Sequence, residues 1–504
     1  GRPLYAAACR CALRARREAG GSMSEPIDFR ALPKQWIVAP APLPRVSGGK
    51  AAAFAGGAIH AAREVPLLRV LDAAGAEAAL LIGWAILDGR FHAADATLAL
   101  APGETPEALF ERLGGRFAML WRRGGRLLAR LDASGGLPAV HAAEHGLLAA
   151  TTTLLELCAP LAPEPAVEAI FEFPRRRGFL PFGLTQRRGA RRLLPNFELD
   201  LGSFAERRVW AADPAARVPG AEAPALAREA ADILRRQTGA ILADGPAILY
   251  LSGGCDSRLV LAACRGLTGR LRAETFGPPG SLETHIARGV AARAGIPHEA
   301  IPVTPARPEA VAAWLERTGH TFYDPVTDMT ETVLAHAPEV FPLSGTGAEI
   351  GRASNWLPED AEAARLDLAR LRARIRMPDH PAINAAGEAW LASLPPMDAA
   401  LALDMAKIEQ IHACWAGVEV YGHAIPRPTL HPFSGQRPNA LCLRLPVAYR
   451  LTNGFYRDAI GHLWPELGEL PVNRAAGLDR LRFWRDELKA RVPVGVKRWI
   501  KPLR

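Results

Sequence analysis

The sequence predicts an α/β protein in two parts: a β-rich, α+β first half, then a half built on a parallel sheet that turns mainly helical. Three observations carry this expectation. From Met23 to about Trp210, short apolar runs are cut by turn signals such as "RRGG", "SGG" and "EHG", the pattern of antiparallel hairpins. Beyond the Pro- and Gly-rich stretch "PAARVPGAEAP" (214–224), strand-like and helix-like runs alternate. From about residue 355 onward, long Ala- and Leu-rich stretches read as helices.

The expected domains are 23–212 and 220–504, preceded by residues 1–22 as a disordered tail or upstream extension. That opening stretch is Arg-rich and acid-poor, and Met23 is a more natural start. Within the first domain, "EAALLIGWAIL" and "GRFAMLWRRGGRLLARLDASGGLPAVHAAEHGLLAATTTLLEL" (115–157) supply paired strands. In the second, "ALAREAADILRRQTGAILAD" has apolar residues at helical spacing, "AILYLS" is a strand, "SRLVLAACRG" a helix and "LRAETFG" a strand. "LETHIARGVAARAG" reads as a helix ended by Gly295, and "PHEAIPV" as the next strand. Strand and helix alternating in this way make a parallel sheet.

Composition narrows the class. With 504 residues and 49% hydrophobic content the chain can bury a large core. Seven cysteines without regular spacing form no disulfide framework, which points to a reducing cytoplasm; only Cys9 and Cys11 lie close together. No apolar run is long enough to span a membrane. The net charge of +9 sits largely in the first 18 residues, in 174–192 and in the tail 489–504. None of these carries the interleaved aromatics or helix-turn-helix pattern of a nucleic-acid binder, so no nucleic-acid partner is expected.

The most informative stretch is "ILYLSGGCDSRLVLA" (248–262). Two glycines after a buried strand let successive N–H groups face one concavity, and a following helix adds the positive end of its dipole. Ser252 and Ser257 add hydroxyl donors. Asp256 would repel a bare phosphate, but a bridging Mg2+ reverses that sign. The loop therefore implies a metal-bound polyphosphate. It is not a Walker loop, since no G-x-x-x-x-G-K-[ST] occurs. S-G-G-x-D-S after a strand instead resembles the pyrophosphate-binding loop of enzymes that split ATP into AMP and pyrophosphate.

Further segments resemble the asparagine synthetase family. "LRAETFGPPGSLETHIARGVAARAGIPHEAIPV" is similar to that family's second strand and following helix, and "FYDPVTDMTETVLAHA" to the next helix. "VFPLSGTGAEIGRA" (340–353) resembles its S-G-D/E-G-x-D-E motif, and "RPTLHPFSGQRPNALCLRLPVAYRL" (427–451) its P-F-x-D to L-P segment. The first domain is similar to the family's amidohydrolase core. The resemblance implies an Ntn-hydrolase-like first domain and an adenine nucleotide alpha hydrolase-like synthetase domain. It places ATP on Leu251, Ser252, Gly253, Gly254, Cys255, Asp256, Ser257, Phe276, Ser344 and Gly345, and Mg2+ on Asp256 and Glu349. Leu251, Phe276 and Gly345 would line the adenosine pocket.

The departures are equally specific. The family's N-terminal Cys nucleophile is missing, since Ser24 follows Met23, and so are its glutamine-holding segments; glutaminase activity is expected to be absent. Thr346 and Ile350 replace acids, Glu349 replaces an Asp, and "NGFYRDAI" offers Arg457 where the family has a late Lys. No catalytic residue is assigned. The expected function is an AMP-forming ligase that joins a small-molecule or peptide carboxylate to an amine. Asparagine formation is the default; relatives that close β-lactam rings or lasso peptides suggest a macrocyclase as the alternative, and a degenerate ATP-binding protein is a third reading. The resemblance leaves room for a homodimer. "HAAEH" (141–145) matches a zinc-peptidase pattern, but lies among strand signals rather than on a helix. Cys255 reads as a packing residue.

Overall fold

The computed structural model describes residues 26–336 and 339–474. The expectations for 1–22, for Met23 and Ser24, and for the basic tail 489–504 fall outside them.

Residues up to Arg208 build two large sheets and a two-stranded one, in which Ile27–Asp28 pairs in parallel with Val46–Ser47. One has six antiparallel strands in the order Ala190–Leu193, Ala139–Ala142, Leu147–Ala149, Trp36–Ala39, Gly57–Ala62 and Gly49–Phe54. The other has eight strands, with Glu77–Leu87 paired to Gly114–Arg123 on one side and Leu67–Leu71 on the other. Side chains alternate across a strand, so Glu77–Leu87 can serve two cores at once. Leu80, Ile82, Trp84 and Ile86 enter the main core. Ala79, Leu81, Ala85 and Leu87 enter a smaller one, closed by Leu109 and Phe110 of the helix Pro106–Arg112. Thr105 caps that helix by accepting from Ala108 N–H, and Pro106 needs no partner in the first turn.

The second half holds four parallel strands in the order His298–Ile301, Leu271–Phe276, Ala247–Tyr250 and Phe341–Leu343. Parallel neighbours need crossovers, here the helices Cys255–Ala263 and Leu282–Ala294. Gly295 ends the second of these at φ 69°, as its position after the apolar run predicts. The helix Ala223–Asp244 buries Ala227, Ala230, Ala231, Leu234, Thr238 and Ile241, a stripe at three- and four-residue spacing. After Leu343 the described residues form helices and no further strand. One of these, Lys407–Ala416, is a π-helix. Among the described residues no helix is long and apolar enough to cross a membrane.

The texture of the sequence changes near 214–224, yet the main core does not stop there: Ile37 and Trp84 belong to the same cluster as Leu249 and Leu401. Polar side chains also cross. Arg116, on Gly114–Arg123 and only 2% exposed, donates through Nε to Gly136 O at 2.7 Å, through Nη2 to Gly417 O at 3.0 Å, and through Nη1 to Thr429 O. Beside it, Asp132 accepts from the N–H groups of Ser134, Gly136 and Leu137 and so shapes the "DASGGLP" turn. Lys34 Nζ bonds His423 O at 2.6 Å and Ile425 O at 2.9 Å, and Gly178–Phe179 pairs with Phe322–Tyr323. Burying such groups costs free energy unless their partners are present, so each half supplies what the other requires.

Arg116→Met keeps the bulk but strips three carbonyls of their donor and Asp132 of its neighbouring cation. The expected loss is about 3–5 kcal/mol of unfolding free energy, and in the intact protein both halves should melt in one transition by differential scanning calorimetry.

Candidate functional site

In an open parallel sheet, ligands bind beyond the carboxyl ends of the strands where the strand order reverses. Here that point lies between Ala247–Tyr250, whose successors extend the sheet one way, and Phe341–Leu343, added on its other side. The two loops leaving these strands, 251–257 and 344–352, carry the residues singled out in the sequence.

The first loop is tied internally. Leu251 is 1% exposed; its N–H donates to Glu274 O at 2.9 Å and its carbonyl accepts from Thr275 Oγ1 at 2.6 Å. It supports the loop from the core side. The helix starts at Cys255, earlier than the apolar run suggests, which puts Asp256 and Ser257 in its first turn. Ser257 Oγ accepts from Ser252 N–H at 3.0 Å and shares a 3.0 Å hydrogen bond with Ser252 Oγ, which accepts from Gly254 N–H. The two hydroxyls expected to face a ligand therefore first fix the loop; a single hydroxyl hydrogen is used between them, and the other remains for a ligand. Gly254 is the N-cap and brings no side chain, which leaves the first N–H groups of the helix without a side-chain partner. Gly253 O accepts from Asn473 N–H at 3.0 Å, while Arg258 binds Leu467, Leu470 and Pro471 carbonyls and holds that segment beside the loop.

The second loop packs directly on the first. A Cβ on Gly345 would collide with the main chain of Asp256 and Ser257, so only glycine permits this approach. Gly347 sits at φ 101°, again a conformation that suits glycine. Ser344 N–H donates to Leu430 O at 3.0 Å, and Ser344 Oγ donates to Thr346 Oγ1 at 2.8 Å. Glu349 Oε2 accepts from Gly347 N–H at 2.6 Å. Phe276 ends its strand with its ring edge-on to Tyr250 at 5.2 Å.

Around the two carboxylates the chain places four groups that sequence reading missed. Asp256 Oδ1 accepts from the Tyr456 hydroxyl, and Oδ2 from Arg352 Nη2 at 3.3 Å. Lys407 Nζ and His412 Nε2 each lie 3.6 Å from Glu349 Oε1. Burial and the charge of Glu349 push Asp256 above the usual carboxylate range, against the pull of Arg352. Burial would raise Glu349 too, but His412 and Lys407 hold it well below that range. Cys255 shows the opposite of thiol activation: burial, then Asp256, pushes it up.

Arg457, the cation suggested by "NGFYRDAI", does not reach this cluster. Its side chain is 63% exposed and pairs with Asp458, because helical geometry turns the neighbouring Tyr456 inward instead. The lysine comes from elsewhere. Lys407 and His412 are five residues apart, about 140° around an α-helix, but i and i+5 stack in the π-helix that they share. An α-helical pattern search cannot bring them together. "HAAEH" is likewise resolved: its first histidine lies on a strand and bonds Glu206 at 2.8 Å.

Among the described residues no group of three or more His, Cys, Asp or Glu forms a metal site by itself. Asp256 and Glu349 are nevertheless a fitting set for Mg2+, which is commonly held by one or two carboxylates plus substrate phosphates. Their hydrogen-bonded oxygens keep a second lone pair, and the uncapped helix start suits the phosphates themselves.

Gly345→Ala should push the two loops apart while leaving the sheet intact. Nucleotide affinity should fall at least tenfold by calorimetry, with circular dichroism at 222 nm unchanged.

Comparison with known proteins reaches part of the chain. No curated protein matches it. Residues 229–349 match the family model described as Asparagine synthase, a stretch that runs from within the helix Ala223–Asp244 to Glu349 and contains both loops up to that carboxylate. The match supports an asparagine synthetase-like family and ligase-type chemistry.

Proposed function

We propose that the protein is an ATP-dependent, AMP-forming amide ligase without glutaminase activity of its own. The observation that carries this reading is the meeting of Asp256 and Glu349 where the strand order reverses, beside a glycine loop and an uncapped helix start. In this reading the N–H groups of Gly253 to Ser257 and the spare serine hydroxyl orient the β- and γ-phosphates. Phe276 and Gly345 bound the adenosine side, above Leu251. Mg2+ bound by Asp256 and Glu349 would neutralise charge on the phosphates. A substrate carboxylate attacks the α-phosphorus; the bond to the bridging oxygen breaks and pyrophosphate departs into the loop. An amine then attacks the acyl carbon and AMP leaves with the bonding electron pair. Orientation and charge stabilisation supply most of the rate.

Thr346 cannot accept the amine's proton, and Arg457 points to solvent, so the amine must arrive neutral and the proton that it loses on forming the amide must pass to another acceptor, such as the departing AMP phosphate or water. The nitrogen comes from free ammonia or from an amine on the substrate itself, as in the peptide macrocyclase alternative. A second reading, nucleotide binding without ligation, is favoured by Thr346 and by Ile350, which is buried and apolar where the family resemblance has an acid.

Exchange of labelled pyrophosphate into ATP separates the two. Exchange that depends on an added amino acid or peptide carboxylate, and falls at least a hundredfold in Asp256→Asn, is expected. Tight ATP binding without exchange for any carboxylate would leave the second reading.

A further inference from the structure

Charge balance in the site suggests a role for Arg352. A pair of free carboxylates would repel a polyphosphate until divalent cations intervened. Here both are already matched within the chain. Arg352 faces Asp256 at 3.3 Å, Lys407 faces Glu349 at 3.6 Å, and His412 lies equally close to Glu349. Two fixed cations oppose two carboxylates before a histidine proton or a metal is counted.

Arg352 differs from the other cation in its accessibility. Its side chain is 36% exposed, against 10% for Lys407. Its main chain is firmly held: the Arg352 carbonyl accepts from Arg450 Nη2 at 3.1 Å, and the same nitrogen donates to Ile350 O at 2.7 Å. Arg450 is itself buried and ion-paired with Asp404, which also accepts from Trp356 Nε1. The guanidinium thus leaves a rigid base, touches Asp256 of the glycine loop with Nη2 and remains partly exposed there. A guanidinium matches two phosphate oxygens at once, which an ammonium does not. His412, 4% exposed at its side chain, turns its Nε2 to Glu349 Oε1 at 3.6 Å and so belongs to the pairing of that carboxylate.

We propose that Arg352 is a polyphosphate-contacting residue, which lets this site hold the pyrophosphate end of its nucleotide without a divalent cation. The inference rests on the nucleotide-ligase reading above and adds a residue and a metal requirement to it. When phosphate enters, Arg352 exchanges part of its contact with Asp256 for phosphate oxygens, and Tyr456 retains its hydrogen bond to that carboxylate. Any Mg2+ then adds to the binding rather than making it possible.

Calorimetric titration of the full chain with pyrophosphate and with ATP, in EDTA and in Mg2+, tests this. Pyrophosphate is expected to bind in EDTA. Arg352→Gln should weaken that metal-free binding at least tenfold and the Mg2+-supported binding less, while Arg352→Lys should retain an intermediate affinity. Absence of binding in EDTA alongside normal binding in Mg2+, or equal metal-free affinity in Arg352→Gln and the parent, overturns the inference and leaves the ligase reading intact. Metal-free binding that depends on Arg352, with no carboxylate-dependent pyrophosphate exchange, sustains the inference and removes the ligase reading.

Discussion

The site depends on one close approach, that of Gly345 to the main chain at Asp256 and Ser257. Strand order brings the two loops to the same edge of the sheet, but only the missing side chain lets them touch. Without that contact Asp256 and Glu349 would belong to separate loops. With it, Glu349 feels Asp256, and the groups that compensate the carboxylates are Arg352 of the second loop itself, Lys407 and His412 of the π-helix, and the Tyr456 hydroxyl from the helix Gly454–Leu463. A backbone contact of this kind has no flexible side chain to absorb error. The surrounding structure fixes it from several directions, through Ser344 to Leu430, Gly347 to Glu349, and Arg450 to the carbonyls of Ile350 and Arg352.

The β-rich half acts on the same region through backbone groups. Arg116 holds Gly417 and Thr429 carbonyls, and Ser434 Oγ accepts from Gly115 N–H at 2.8 Å. Asn196 Nδ2 and Arg208 meet Glu409 within the π-helix itself. These contacts bracket Lys407 and His412, whose placement beside Glu349 depends on that helix keeping its wider turn. The β-rich half thus has a structural part in positioning side chains of the other half, whatever chemistry it performs.

Much of this was legible in the sequence wherever a local rule has a local cause. Strand periodicity, the Gly295 stop and the glycine loop each follow from residues within a few positions of one another. The parallel sheet follows from their alternation. The helix start at Cys255 rather than Ser257 was less clear, because Cys and Asp have modest helix propensity and the N-cap is a glycine. The charges around the carboxylates were not legible. Tyr456 and Arg457 are neighbours in sequence, and only the packing of their helix decides which turns inward. Lys407 and His412 required a π-helix, a local geometry with no reliable composition signal.

That last gap changes what a missing motif residue means. A carboxylate pair in a low-dielectric setting must be compensated, and the compensating charge is specified by position in space, not in sequence. The segment that resembles the family's late motif offers Arg457, which is solvent-exposed, yet a buried ammonium stands beside Glu349 from a helix some fifty residues earlier. Thr346 and Ile350 bring no charge to the same neighbourhood. Arg352 and Lys407 oppose the two carboxylates from separate parts of the chain. The charge balance is therefore a property of the packed site and not of any one motif.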